Sequence, residues 1–288
     1  RVSKFMMPIL IVLSVLIAVY SVTRPGAMEG VKYFLVPNVK NFSWMTVVAA
    51  MGQMFYSLSI AMGILITFGS YMKKETSLED STRNVEVFDT AIAIMAGLMI
   101  IPAVFAFSGG DPDTLQAGPA LMFITIPKVF ENMGFGTVVG ILFFLLVLFA
   151  AVTSSIALTE SAVSTFEDEL GWSRRRATVL VGVIMIALGS LSSLGYGPLA
   201  GIKIIGMQFL DFFDFLTNSV MMPIAAMLTS LFVSRIVGMK RMEEEIMHGE
   251  STFRRKKIFI VMIKYLCPVF ALIILISSVA NAFGWIAM

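Results

Sequence analysis

The sequence predicts an all-α polytopic membrane protein with about seven transmembrane helices, one of them broken within 44–71. Three observations carry that prediction. Of 288 residues, 58% are hydrophobic and only 14% charged, with a mean hydropathy of +0.89. A soluble domain carries about a quarter charged residues. The apolar residues are gathered into runs long enough to cross a bilayer core. Between the runs, Lys and Arg concentrate in alternate loops, the asymmetry that orients a membrane protein.

Composition also excludes several function classes. A single cysteine, Cys267, leaves no internal disulfide and no thiolate metal cluster. The one histidine, His248, lies in a charged stretch outside the apolar runs, so a His-based triad or zinc site within the membrane cannot form. A net charge of +2 is too small to point to a nucleic-acid partner.

Seven apolar segments follow from hydropathy and length: 6–23, 44–71, 86–108, 136–165, 175–194, 209–234 and 260–286. The first follows a basic start, Arg1 and Lys4. Its apolar run is longer than a signal-peptide core and no A-x-A site follows. It reads as a membrane helix of a chain whose front is missing.

The second segment holds GQMFYSLSIAMGILITFGSY, 52–71, with Tyr56, Ser57 and Ser59 near its centre and Gly63 after them. Glycine and closely spaced serines at mid-depth are where a membrane helix can open its hydrogen-bond ladder. An opened ladder turns helix ends into the protein, the arrangement of a small-ion or solute site. The same residues also serve as ordinary interhelical glue in other membrane helices.

In the third segment, Asp89 lies near the expected inner end. An intramembrane carboxylate marks an ion or proton pathway, whereas one at the helix start is merely interfacial. The external loop 109–134 contains GPALMFITIPKVFENM, apolar but interrupted by Pro127. It reads as short amphipathic helices over the outer mouth, as a lid or as an interfacial anchor.

The fourth segment contains FAAVTSSIAL, 149–158, with three consecutive hydroxyls. Ala150, Thr153 and Ser154 share one face at i, i+3 and i+4. Hydroxyls with an accessible carbonyl suit a hard cation, and small residues equally suit close helix packing. Glu160, beyond them, is a weaker candidate. In the sixth segment Asp211 and Asp214 lie one turn apart, lining an outer approach or a solvated rim.

Loop charges set the orientation. Lys73–Lys74, Arg174–Arg176 and Arg254–Lys257 fall in one set of loops, whereas Arg24, Lys32, Lys40, Lys128 and Lys203 stand singly in the other. Residue 1 is thus expected in the cytoplasm and residue 288 outside. The basic clusters need only orientation and anionic lipid as reasons. The whole of 1–288 reads as one transmembrane domain.

Five stretches together resemble the neurotransmitter:sodium symporters, in their bacterial amino-acid-transporter branch with the leucine-transporter-like inverted-repeat fold. They are GQMFYSLSIAMG at 52–63, GPALMFITIPKVF at 118–130, FAAVTSSIAL at 149–158, EDELGWSRRRA at 167–177 and DFL at 214–216. They run in family order, and the seven segments match that family's helices five to eleven. The resemblance implies roles. Ser57 looks like the hydroxyl bridging a first sodium and substrate, and Tyr56 like the aromatic that closes over bound amino acid. Ser59, Met62, Ser154 and Leu158 match pocket positions. Ala150, by its carbonyl, with Thr153 and Ser154 matches a second sodium site. Asp214 matches the acid of the external gate and Gln53 a neighbouring glutamine. Asp89 falls where the family often has an asparagine ligand of the first sodium.

Two departures shape the expectation. Met62 stands where the family is commonly aromatic, and methionine admits a broader set of side chains. A carboxylate at Asp89 can supply the negative charge that animal members take from chloride, so chloride is not expected to be required. The family's first four helices, which complete the site, are not among these residues, so the fold is expected to be partial. The implied function is symport of a neutral amino acid or related small amine with two sodium ions, by alternating access across a bacterial inner membrane. The alternative is an ion channel or a structural scaffold without transport of its own; a channel needs a polar stripe through the membrane, and the polar clusters here sit at one depth. An enzyme is not expected, because no histidine or paired aspartates lie at the depth of the serines. The partners implied are the small-molecule substrate, the lipid bilayer and the missing N-terminal helices.

Overall fold

The computed structural model describes residues 2–109, 118, 121–131, 134–249 and 252–285. Among them the regular elements are helical. In chain order they are α1 (Val2–Val22), α2 (Ala27–Leu35), α3 (Trp44–Ser57), α4 (Ile64–Ser70), α5 (Leu78–Ser108) and α6 (Ile126–Glu131). Then come α7 (Gly136–Leu170), α8 (Arg174–Leu194), α9 (Phe209–Val237), α10 (Met239–Ile246) and α11 (Lys256–Ala282). Six of them, α1, α5, α7, α8, α9 and α11, are long and apolar enough to cross a membrane. The expected segment 44–71 is present as two pieces, α3 and α4. The chain is a multi-pass membrane protein.

Helix ends depart from the hydropathy boundaries where charge extends a helix into water. The helix α5 begins at Leu78, well before the apolar run. Its start is capped by Ser77, whose Oγ accepts from the Asp80 N–H at 3.0 Å, and Glu79 and Asp80 stand in its first turn. Both features favour a helix N-terminus. Similarly, α7 continues through a charged end to Leu170. Hydropathy measures depth in lipid, not the length of a helix.

The chain forms two compact units, Arg1–Phe42 with Glu86–Ile156, and Ser43–Val85 with Ala157–Met288. In the first, Ile17 and Ala18 of α1, Met99, Ala103 and Val104 of α5, and Val139 and Phe143 of α7 enclose Ile126, Val129 and Phe130 of α6. Between membrane helices lipid is as apolar as the core, so a side chain such as Phe143 contributes chiefly through close van der Waals packing. The expected lid-like loop 109–134 is described only in part. Residues 110–117, 119, 120, 132 and 133 lie outside the described residues, and 121–131 form a π-helical turn (Leu121–Thr125) followed by α6.

In the second unit Phe55 of α3 packs with Ala226 of α9 and with Ala271 and Ile274 of α11. Both α9 and α11 contain π-helical turns, at Phe215–Met221 and Met262–Leu266. Each turn is followed closely by a proline, Pro223 or Pro268. Proline lacks an N–H and clashes with the carbonyl four residues earlier, so the ladder widens just ahead of it. Such widened turns recur at functional sites.

Candidate functional site

The break in 44–71 is built from its backbone. Ser43 starts α3 with a capping box: its Oγ accepts from the Thr46 N–H at 3.4 Å, and its own N–H donates to Thr46 Oγ1 at 3.2 Å. The helix ends at Ser57. There the Ser59 N–H donates to Tyr56 O and the Ile60 N–H to Phe55 O, both at 3.0 Å. This crossed pair of bonds closes a helix C-terminus around a left-handed residue. That residue is Ser59, at φ 54, where glycine is usual. The next residue, Ile60, packs against the apolar cluster to which Phe55 belongs. Two more left-handed residues follow, Ala61 at φ 63 and Gly63 at φ 79. The second piece, α4, begins after Gly63, whose carbonyl accepts from the Thr67 N–H at 2.9 Å.

Gly63 cannot be exchanged freely. A Cβ there would stand 2.7 Å from Ser161 Oγ on α7. The neighbouring Thr67 is buried, with its Oγ1 at 3.4 Å from Ser161 Oγ and 3.3 Å from Ser164 Oγ. Of the residues singled out in the sequence, Tyr56 and Ser57 form the last turn of α3, while Ser59 and Met62 lie in the break. Tyr56 is exposed and Met62 half-buried. An unbroken helix with serines as packing glue is excluded.

Within the same unit, α3, α9 and α11 enclose a cavity of about 330 Å³. Its walls include Gln53, Tyr56, Asp214, Asn218, Ser219 and Ser278, over a floor of Phe55, Met222 and Ile274. The three residues expected at the gate, Gln53, Tyr56 and Asp214, therefore share one cavity. Its volume lies at the lower end of the range for small-molecule sites. Asp214 Oδ1 accepts from Asn218 Nδ2 at 2.6 Å. Asp211 does not line this cavity with Asp214 as the one-turn spacing suggested; it is exposed. Asn218, Ser219 and Ser278 were not singled out in the sequence. Asn218 had a signal, its place four residues after Asp214 on the same helix face.

Ala150, Thr153, Ser154 and Leu158 all stand on the unbroken α7. Thr153 Oγ1 donates to Ala150 O at 2.9 Å and to Phe149 O at 3.1 Å. Ser155 Oγ donates to Val152 O at 2.9 Å. A hydroxyl that gives its hydrogen to a carbonyl of its own helix turns its lone pairs outward. Ala150 O and Thr153 Oγ1 are thus two neutral oxygens joined by a hydrogen bond of 2.9 Å, which a cation held by both would displace. Among the described residues no group of three or more His, Cys, Asp or Glu could hold a metal. Asp89 is half-buried and about three turns inside α5, near the start of its apolar run.

Glu160 proves to be a member of a network. The Tyr71 hydroxyl donates to its Oε1 at 2.8 Å. Arg174 reaches its Oε2 at 2.5 Å and Glu167 Oε2 at 3.2 Å. Two acids thus share one guanidinium at the turn between α7 and α8, a structural arrangement that accounts for an acid beyond the hydroxyl stretch.

The helices and the mid-segment break define the class: a helical, multi-pass membrane protein with a discontinuous helix. Residues 2–284 match the model of the Sodium:neurotransmitter symporter family, and the chain belongs to that family. It is 35% identical over 251 residues to the uncharacterized sodium-dependent transporter YhdH of Bacillus subtilis, covering 87% of this chain and 55% of that protein. To an uncharacterized sodium-dependent transporter of Haemophilus influenzae it is 32% identical over 279 residues, covering 96% of this chain and 60% of that one. Among solved structures it is similar to MhsT in complex with L-phenylalanine. That match has a TM-score of 0.81 at 36% identity and covers 96% of this chain and 62% of that chain. The chain spans little more than half the length of the curated relatives it matches.

Proposed function

We propose that the protein is a sodium-coupled symporter of a neutral amino acid or related small amine, working by alternating access. The observation that carries this reading is the break from Leu58 to Gly63, inside a chain of a symporter family. An opened backbone in a membrane is tolerated only where it is buried in protein or lines a cavity, and in transporters that is where solute binds.

In this reading Ser57 bridges the first sodium and the substrate, and Asp89 adds a carboxylate ligand. The Ala150 carbonyl, Thr153 and Ser154 hold the second sodium. Tyr56, Ser59, Met62, Ser154 and Leu158 receive the substrate, and Gln53, Tyr56 and Asp214 close the outer side. Sodium and substrate that bind one state better than the other shift the population between outward and inward forms. Each positive charge entering down the membrane potential contributes about 2.3 kcal/mol per 100 mV. An amino-acid substrate is supported by the L-phenylalanine held in the MhsT structure. A bacterial inner membrane, with residue 1 in the cytoplasm and residue 288 outside, is supported by the loop charges and by the bacterial relatives.

The test is uptake by the complete protein in proteoliposomes. Saturable uptake of a neutral amino acid is expected with an inward sodium gradient and not with choline in its place. Equal uptake in both would sink the proposal. Replacing chloride with gluconate should leave uptake unchanged, because Asp89 supplies the charge; loss of uptake in gluconate refutes that assignment.

A further inference from the structure

The geometry points to Asn218 as the residue that positions Asp214 in the outer cavity. This rests on the reading of Asp214 as the acid of the external gate. Asp214 closes the last α-helical turn before the widened turn Phe215–Met221, and Asn218 lies within that turn. Both line the same cavity as Gln53 and Tyr56. The Asn218 amide donates to Asp214 Oδ1 at 2.6 Å. Thr217, a further polar side chain within one turn of Asp214, turns its hydroxyl to the backbone instead, donating to Phe213 O at 2.7 Å and Asp214 O at 3.4 Å.

An exposed aspartate samples several rotamers, and a gate that must meet its partner in one geometry loses affinity to that freedom. A neutral amide removes the freedom without adding charge. It holds one oxygen and leaves Oδ2 to accept from a cationic group entering the cavity. A lysine or arginine at 218 would neutralise the acid; an asparagine orients it and keeps its charge.

The experiment uses the complete protein in proteoliposomes, with a tritiated mixture of neutral amino acids as the probe. Asn218→Ala should raise the apparent KM roughly 3–10-fold, as expected for the net loss of one ordinary hydrogen bond at an exposed site. Its kcat should stay within about two-fold, since the bond acts before the bundle moves. Asn218→Gln, which keeps the amide, should restore most of the KM. In an Asp214→Asn background, Asn218→Ala should add less than about two-fold, because the two residues act as one unit. A merely structural role predicts the reverse: less folded protein, additive effects and no rescue by glutamine. An impaired Asp214→Asn beside a wild-type-like Asn218→Ala overturns the positioning role alone. A wild-type-like Asp214→Asn, or no uptake by the unmodified protein, overturns the gate reading and this inference with it.

Discussion

Residues 55–63, FYSLSIAMG, and 149–158, FAAVTSSIAL, are close in composition and opposite in fate. Each joins an aromatic, small residues and hydroxyls at the middle of an apolar segment. The first breaks into α3 and α4; the second stays inside α7. Hydroxyl content therefore does not decide the outcome. In α7, Thr153 and Ser155 spend their hydrogens on carbonyls three or four residues back, which leaves the ladder whole. In the first stretch the backbone takes three left-handed residues within five positions. Non-glycine residues in that conformation cost on the order of 1–3 kcal/mol each, so Ser59 and Ala61 must be held by surroundings. Ile60 and Ala61 pack on the cluster of Phe55, Ala226, Ala271 and Ile274, and Gly63, at φ 79, sits where an added Cβ would stand 2.7 Å from Ser161 Oγ.

The comparison can be broken most forcefully at Gly63. Gly63→Val places a β-branched residue at φ 79 with its Cβ 2.7 Å from Ser161 Oγ. The expected cost is about 3 kcal/mol or more, read as a large fall in the melting temperature in detergent or as loss of folded protein. A variant that melts like the parent would show that this contact does not set the break.

Thr153→Ala probes the other stretch and should act on ligand rather than fold. Half-activation by sodium should move roughly ten-fold, about 1.4 kcal/mol, while helix content and melting temperature stay near the parent's. Sodium activation unchanged by the substitution would remove Thr153 from the proposed ion site.

The smallest and sharpest test is one substitution made in both places. Ala61→Gly relieves a left-handed alanine and should stabilise by about 0.5–1 kcal/mol. Ala151→Gly, at an exposed position inside α7, should destabilise by about 1 kcal/mol. Thermal midpoints that move in the same direction would mean the two backbones differ less than their dihedral angles say.

The break and the candidate residues around it could be read from the sequence for a local reason. Ser57 and Ser59 beside Gly63 are an unusual run in a membrane segment, and the i, i+3, i+4 pattern of Ala150, Thr153 and Ser154 needs only an intact helix. Asp214 and Gln53, which share one cavity, were singled out through motif resemblance. Other members were not legible. An asparagine four residues after an aspartate is too common to single out Asn218. Glu160 finds Tyr71 from a distant helix and Arg174 across a turn, and neither spacing announces the contact.

The amino-acid order alone determined the membrane spans, because lipid obliges each one to satisfy its backbone within itself, and that obligation is written locally as length and apolarity. It also marked the positions where polar groups gather at the middle of apolar segments. Only the tertiary structure decided which of two similar stretches opens and which residues share the cavity among α3, α9 and α11. A left-handed turn is strained in isolation. It persists here because Ser161, Ala226, Ala271 and Ile274, remote in the chain, leave it room and packing.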